Sequence, residues 1–165
     1  NSSLNSIMSY LKNSLTTNEE IKMIVNYHWF VWINPIFGFI GSFIFIFIGL
    51  FISTIHEPII SSKYFYFLGL ILIMNYLIQV LNIYFTEQGI TTKKSIKKTG
   101  IISVKTEELF ISKTETVEIN QSFWGRIFGF GNIKLTGTGN SYLIFGIVSN
   151  PLDVKKTIEE LVDSV

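Results

Sequence analysis

Two long stretches of the chain contain no charged residue and are almost entirely apolar. The first covers residues 30–55 and the second covers residues 64–86, which gives lengths of 26 and 23 residues. A helix of about 20 residues crosses the hydrocarbon core of a bilayer, which is roughly 30 Å thick. The pattern therefore predicts two transmembrane helices. The connector, residues 56–63, is short and contains Pro58, so the helices should form an antiparallel hairpin.

The distribution of lysines predicts the orientation of this hairpin, because cytoplasmic flanks of membrane helices carry an excess of Lys and Arg. The connector has Lys63, the N-terminal flank has Lys12 and Lys22, and more lysines follow the second span: Lys93, Lys94, Lys97, Lys98 and Lys105. We therefore expect a multi-pass membrane protein with both termini in the cytoplasm. A cleavable signal peptide fits poorly, because the first apolar run is too long and starts too far into the chain.

Polar residues within the two spans indicate how the helices associate. Asn75, Gln79 and Asn82 are spaced four and three apart and share one face of the second helix. Unpaired amides are costly in hydrocarbon, so this face should meet another helix. That helix could belong to the hairpin itself, to a second copy or to another membrane protein, and a transport pathway is a further alternative. Gly38 and Ser42 form a small-xxx-small pair that permits close helix approach.

Beyond residue 83 the pattern changes to short runs rich in Ile, Val, Thr, Phe and Tyr, separated by Gly, Lys and Asn. Such runs are typical of β-strands. They predict strands over residues 84–92, 95–98, 100–105, 108–113, 116–121, 132–136 and 142–147. Residues 122–130 predict a compact loop or a short helical turn.

The two ends of the chain carry helical signals. Near the C-terminus, Asn150 is a good N-cap, Pro151 suits the first helical position, and an apolar face follows. Strands followed by one amphipathic helix indicate an α+β domain in which the helix closes the sheet. At the N-terminus, a short amphipathic helix is predicted from apolar residues at helical spacing, and strand and helix compete over residues 21–27. The apolar residues are Leu4, Ile7, Met8, Leu11 and Leu15.

Composition narrows the chemistry. The chain is 48% hydrophobic and 15% charged, with a net charge of +1, no Cys and two His. These values exclude a disulfide scaffold and thiolate chemistry, and they argue against a nucleic-acid-binding protein. We expect three parts: an N-terminal cytoplasmic or interfacial segment (1–29), the transmembrane hairpin (30–86, with spans 30–55 and 64–86) and a cytoplasmic domain (84–165).

Several segments together resemble a known family. The sequence Gln-Ser-Phe-Trp-Gly-Arg-Ile-Phe-Gly-Phe-Gly at 121–131 is the most specific, and residues 26–29, 100–103, 106–113 and 146–154 add to it. The chain resembles the bacterial pleckstrin-homology-like (PH-like) domain of small membrane proteins with an N-terminal transmembrane hairpin. The resemblance implies a bent, seven-stranded sheet capped by a C-terminal helix, in the bacterial cytoplasmic (inner) membrane. It marks six motif residues: Gln121, Ser122, Gly125, Arg126, Gly129 and Gly131.

The sequence favours an interaction module over an enzyme, because nothing in it combines an acid, a base and a nucleophile. We expect no cofactor, no metal, no nucleic acid and no small-molecule substrate. The predicted partners are membrane lipids and a protein partner or a second copy. Anionic lipid would be contacted by four lysines near the second span: Lys93, Lys94, Lys97 and Lys98. The alternative is an accessory subunit of a transporter or export complex, bound through the hairpin.

Overall fold

The computed structural model describes residues 11–12, 14–55, 61–100 and 103–164. Most of the amphipathic N-terminal helix expected from the sequence lies outside these residues, as does Pro58. The chain forms two compact units. One is Val31–Tyr84, and the other combines the described residues up to Phe30 with those from Phe85 onward. The N-terminal segment is therefore part of the same compact unit as the C-terminal domain.

The first unit consists of two long helices, α1 (Ile33–Ser53) and α2 (Ser62–Tyr84), and a 3-10 turn at Trp29–Trp32 precedes α1 along the chain. Both helices are long and apolar enough to cross a membrane, and most of their surface is exposed. At about 1.5 Å per residue, the 21 residues of α1 span roughly 31 Å. The two apolar runs are thus confirmed as helices of membrane-spanning length.

Small residues bring α1 and α2 into close, antiparallel contact. A Cβ at Gly69 of α2 would lie 2.8 Å from Cγ1 of Ile46, and one at Gly49 of α1 would lie 2.8 Å from the Tyr66 ring. Ser42 is fully buried, and its hydroxyl donates to the carbonyl of Phe39 at 2.6 Å. Ser42, Gly49 and Gly69 therefore mark the helix contact.

The second unit contains two antiparallel sheets. The first sheet has the order β1-β2-β3-β4 and the second has the order β5-β6-β7. The strands of the first sheet are β1 (Ile21–Ile24), β2 (Glu87–Thr91), β3 (Lys94–Thr99) and β4 (Lys105–Phe110). Those of the second are β5 (Thr114–Asn120), β6 (Phe130–Gly137) and β7 (Tyr142–Ser149). The seven strands and the C-terminal helix confirm the predicted α+β, PH-like fold.

The observed strands differ from the predicted ones in three places. The strand predicted over 108–113 ends at Phe110, and Ile111–Lys113 form a 3-10 turn. The competition over residues 21–27 resolves as a strand: β1 pairs with β2, and Tyr27 forms a bridge with Val148 of β7, so this segment joins both sheets. The strand predicted over 100–105 is wrong where the structure describes it. Gly100 has a φ of +92°, which turns the chain, and the strand begins only at Lys105.

Apolar side chains from both sheets form one core. The C-terminal helix (Pro151–Asp163) adds Val154 and Ile158 to it. Asn150 stands at the predicted cap position, but it has a left-handed backbone and its side chain makes no capping bond. Instead, its carbonyl accepts from the amide of Asp153 at 3.1 Å. The largest fully buried core side chains include Phe145, Ile90, Ile111, Ile133, Leu135 and Leu143.

The N-terminal segment also covers the outer face of the first sheet. Leu11 is 1% exposed and packs over Gly89, where a Cβ would lie 2.9 Å from Cδ1 of Leu11. Ile96 is the cross-strand neighbour of Gly89 and is fully buried on this same face. The segment is therefore a structural layer of the domain.

Glu19 ties this segment to the sheet. Its carboxylate accepts hydrogen bonds from Thr91 Oγ1 at 2.6 Å and from the amide and hydroxyl of Thr16, both at 2.8 Å. Burial by itself raises the pKa of Glu19, but these hydrogen bonds outweigh it and leave the pKa below its ordinary value. A carboxylate with a lowered pKa stabilises the fold above its ordinary pKa, and that stabilisation is lost as the pH falls through the folded-state value.

We predict that Glu19→Gln loosens this segment at neutral pH, because hydrogen bonds to a charged acceptor contribute about 1.5–3 kcal/mol. Hydrogen exchange at the Thr16 amide should accelerate. In the parent, the protection factor of this amide, which allows for the slower intrinsic exchange in acid, should fall as the pH drops below about 4.5, and the variant should lack this pH dependence. Glu20→Gln is the matched control, because Glu20 is 77% exposed. Equal effects of the two substitutions would contradict the assignment.

Candidate functional site

The predicted family motif forms a short helix with defined ends. Helix α3 (Phe123–Phe128) begins after Ser122, whose hydroxyl accepts from the amide of Gly125 at 3.1 Å. It ends at Gly129, which has a φ of +77° and donates its amide to the carbonyl of Gly125. Left-handed backbone is the usual stop signal of a helix and favours glycine. Ser122 and Gly129 therefore set the length of this helix.

The other motif residues hold α3 against β6. Gly125 is buried, and a Cβ there would lie 2.6 Å from the carbonyl oxygen of Phe130. The Gln121 side chain donates to that same carbonyl at 2.9 Å, and Gly131 leaves room for Gln121, since a Cβ there would lie 2.8 Å from its Cγ. The polar and glycine positions of the motif are thus a scaffold that fixes the helix.

The scaffold leaves the apolar side chains of α3 facing solvent. Phe123 is 71% exposed, Trp124 54%, Ile127 56% and Phe128 42%. Trp29 is 56% exposed and joins them through its ring, 5.6 Å from that of Phe128. We call these five residues the aromatic patch. Monomeric soluble proteins rarely expose large contiguous apolar areas, so such a patch indicates an interaction surface.

Further rings support the patch from beneath. Phe30 stacks on Phe130 with ring centroids 4.3 Å apart, and Phe130 is buried. The His28 ring lies 5.3 Å from both Trp29 and Phe130, and its Nδ1 accepts from the amide of Phe30 at 3.3 Å. His28 is therefore a packing residue among rings.

Arg126 does not take part in this scaffold. Its side chain is exposed and lines a shallow cavity of about 320 Å³ at the start of the C-terminal helix. Asp153 and Gln121 line the same cavity. The cavity therefore carries charges of both signs.

The four lysines near the second span do not form one surface. Lys94 is 8% exposed, and its ammonium lies 2.9 Å from the Glu108 carboxylate. Lys98 lies on the same outer face of β3 and pairs with Glu87 at 3.3 Å. Ion pairs thus offset the charge of both side chains inside the fold.

The remaining two lysines point elsewhere. Lys97 lies on the opposite face of β3 and donates to the carbonyl of Ile144 at 2.7 Å. Burial lowers the pKa of Lys97, and Glu107 acts against this effect. Lys93 is exposed in the turn between β2 and β3 and donates to the carbonyl of Thr17 at 2.9 Å.

The predicted helix-association residues lie in the helical unit. Gln79 donates to the side-chain carbonyl of Asn75, so these two amides pair along α2. Asn75 and Asn82 are exposed on the helix. Of the predicted small pair, Ser42 is in the helix contact, whereas no described atom lies within 4 Å of a Cβ at Gly38.

Comparison with known families agrees with this architecture. A family model described as "Bacterial PH domain" matches residues 35–162, which is most of the chain. The chain belongs to the bacterial PH domain family. No curated protein and no solved structure is significantly similar to it. PH-like domains are generally non-catalytic interaction modules.

The motif residues of this bacterial PH domain were predicted from the sequence, but the exposed apolar side chains among them were not. Apolar residues at 123, 124, 127 and 128 recur at i, i+1, i+4 and i+5, which places them on one side of a helix. Ser122 and Gly129 enclose them with a start and a stop signal. These signals together could have identified a short helix with an apolar face.

We predict that Gly125→Ala destabilises the domain by about 1–3 kcal/mol, the typical cost of overpacking, because its Cβ would collide with the Phe130 carbonyl. The midpoint of thermal unfolding in detergent, followed by tryptophan fluorescence, measures this effect. Gly146→Ala is the matched control, since its nearest neighbour would lie 3.9 Å away. A midpoint that falls equally in both variants would argue against the scaffold.

Proposed function

We propose that this protein is a membrane-anchored, non-enzymatic PH-like module that binds a protein partner or anionic lipid at the cytoplasmic surface of the membrane. One observation carries the proposal. The two helices α1 and α2 match the bilayer in length, and their exposed side chains are overwhelmingly apolar. Phe37 and Phe47, for example, are 70% and 71% exposed. Apolar side chains are stable against the hydrocarbon core of a bilayer, whereas their exposure to water is unfavourable.

The four lysines predicted to contact anionic lipid differ in how strongly each can attract it. A lysine near an anionic leaflet contributes about 1 kcal/mol to surface binding. Lys94 and Lys98 are offset by Glu108 and Glu87, so we expect less attraction than four free lysines would give. Lys93 is the most exposed of the four and is the best candidate for direct contact with headgroups.

The predicted orientation can be tested with single cysteines, because the natural chain has none. We expect a membrane-impermeant maleimide to label Ser61→Cys, in the connector, on intact spheroplasts. Glu20→Cys and Ser164→Cys should react only after lysis, because the lysine-rich flanks stay in the cytoplasm. Labelling of all three positions before lysis would refute this orientation.

The alternative function, an accessory subunit of a transporter or export complex, is favoured by one observation. The side-chain amides of Asn75 and Gln79 pair with each other along α2, and Asn75 is exposed. Polar side chains in a bilayer stabilise helix association when they find partners.

We predict that Asn75→Leu combined with Gln79→Leu reduces association with a second copy or a larger membrane protein, since interhelical hydrogen bonds average about 0.6 kcal/mol each. Crosslinking in intact membranes followed by mass spectrometry measures this loss. Met74→Leu with Ile78→Leu is the control, because it alters neighbouring exposed positions without changing polarity. Unchanged crosslinking in the amide variant would remove the alternative.

A further inference from the structure

The aromatic patch is an exposed apolar surface that the proposed function does not yet use. Its helix is fixed at both ends by Ser122 and Gly129, and Gly125 fixes it against the Phe130 carbonyl. A preorganised surface loses little conformational freedom when it binds. The patch is therefore a rigid surface and does not depend on a loop becoming ordered.

The chemistry of the patch fits one kind of partner. Residues 121–131 carry no acidic side chain, and Arg126 is their one basic residue. The Arg126 side chain is exposed and lines a cavity that Asp153 also lines. Tryptophan and other amphipathic rings are enriched at membrane–water interfaces, where the ring is partly buried and its polar atom remains hydrated. Amphipathic helices with Trp, Phe or Leu on one face and basic residues on the other lie in this interface.

Chain connectivity points to the same partner. Trp29 belongs to the patch through its contact with Phe128, and only three residues separate it from Ile33, the first residue of α1. If α1 crosses the bilayer, its N-terminal end lies at the membrane surface. One member of the patch is then tied by the chain to the lipid boundary.

We propose that the aromatic patch inserts into the interfacial region of the same bilayer that α1 and α2 cross. This inference rests on the proposed membrane anchoring. The rings of Phe123, Trp124 and Phe128, with Ile127, would lie among the headgroups and upper acyl chains, and Arg126 would meet lipid phosphate. The patch would be a second membrane contact of the PH domain, independent of the lysines.

Tryptophan quenching in the full-length protein tests the proposal. A chain with Trp29→Phe and Trp32→Phe keeps Trp124 as its single tryptophan. In nanodiscs of phosphatidylcholine brominated near the headgroup, Trp124 should lose most of its emission and be shielded from aqueous acrylamide. The loss should be the same when part of the lipid is replaced by phosphatidylglycerol, because apolar insertion does not need an anionic surface.

Two reporter tryptophans are compared, each introduced alone into a chain whose natural tryptophans are all replaced by Phe. Phe47→Trp places a tryptophan in α1 and should be quenched by bromine on the acyl chains, which reports membrane anchoring. Tyr142→Trp places one at a 64% exposed position of β7 and should stay accessible to acrylamide without bromine quenching. Quenching of Trp124 but not of the Tyr142→Trp reporter supports the proposal.

Other outcomes overturn it in distinguishable ways. If the Phe47→Trp reporter is quenched and Trp124 is not, anchoring stands and the patch does not touch lipid. If neither is quenched, the anchoring fails and this inference fails with it. If Trp124 is unquenched by bromine but shielded from acrylamide, protein covers the patch. If Trp124 is quenched only with phosphatidylglycerol present, charge and not the rings drives the contact.

Discussion

Apolar side chains are stable where water is excluded. This constraint determines where the hydrophobic residues, which make up 48% of the chain, lie in the structure. Part of it forms the core between the two sheets, where Ile133, Leu135 and Phe145 are fully buried. Another part covers α1 and α2, which pack closely on each other through small residues and leave most of their surface exposed. The core and the exposed helices thus require different surroundings, and the division into two compact units follows from this difference.

Charged side chains form ion pairs within the domain as well as lying on its surface. On the outer face of the first sheet, Lys94 forms an ion pair with Glu108 and Lys98 forms one with Glu87, and the N-terminal segment lies over this face. Lysines that look like a basic cluster in the sequence therefore act mainly within the fold. Exposed rings in the motif then become the more distinctive surface of the domain.

The sequence was informative wherever the composition of a run determines structure. Uninterrupted apolar runs predicted both long helices, and short runs rich in β-branched and aromatic residues predicted most strands. It failed where the outcome depends on distant contacts or on a single backbone angle. The partners of Lys94 and Lys98 lie on neighbouring strands, and Gly100 turns the chain where residues rich in Ile and Val suggested a strand. Likewise, the scaffold role of Gln121 and Gly125 depends on the Phe130 carbonyl, which no local pattern reveals.

The pairing of β1 with β2 has a consequence for biosynthesis. Ile24 and Gly89 are partners in this ladder, yet both long helices lie between them in the chain. If α1 and α2 are membrane spans, a chain with only one of them inserted would leave β1 and β2 on opposite sides of the bilayer. Its sheet could not close, and core residues such as Val25 and Ile90 would stay unburied. Closure of this sheet would then require that both helices cross the bilayer or that neither does.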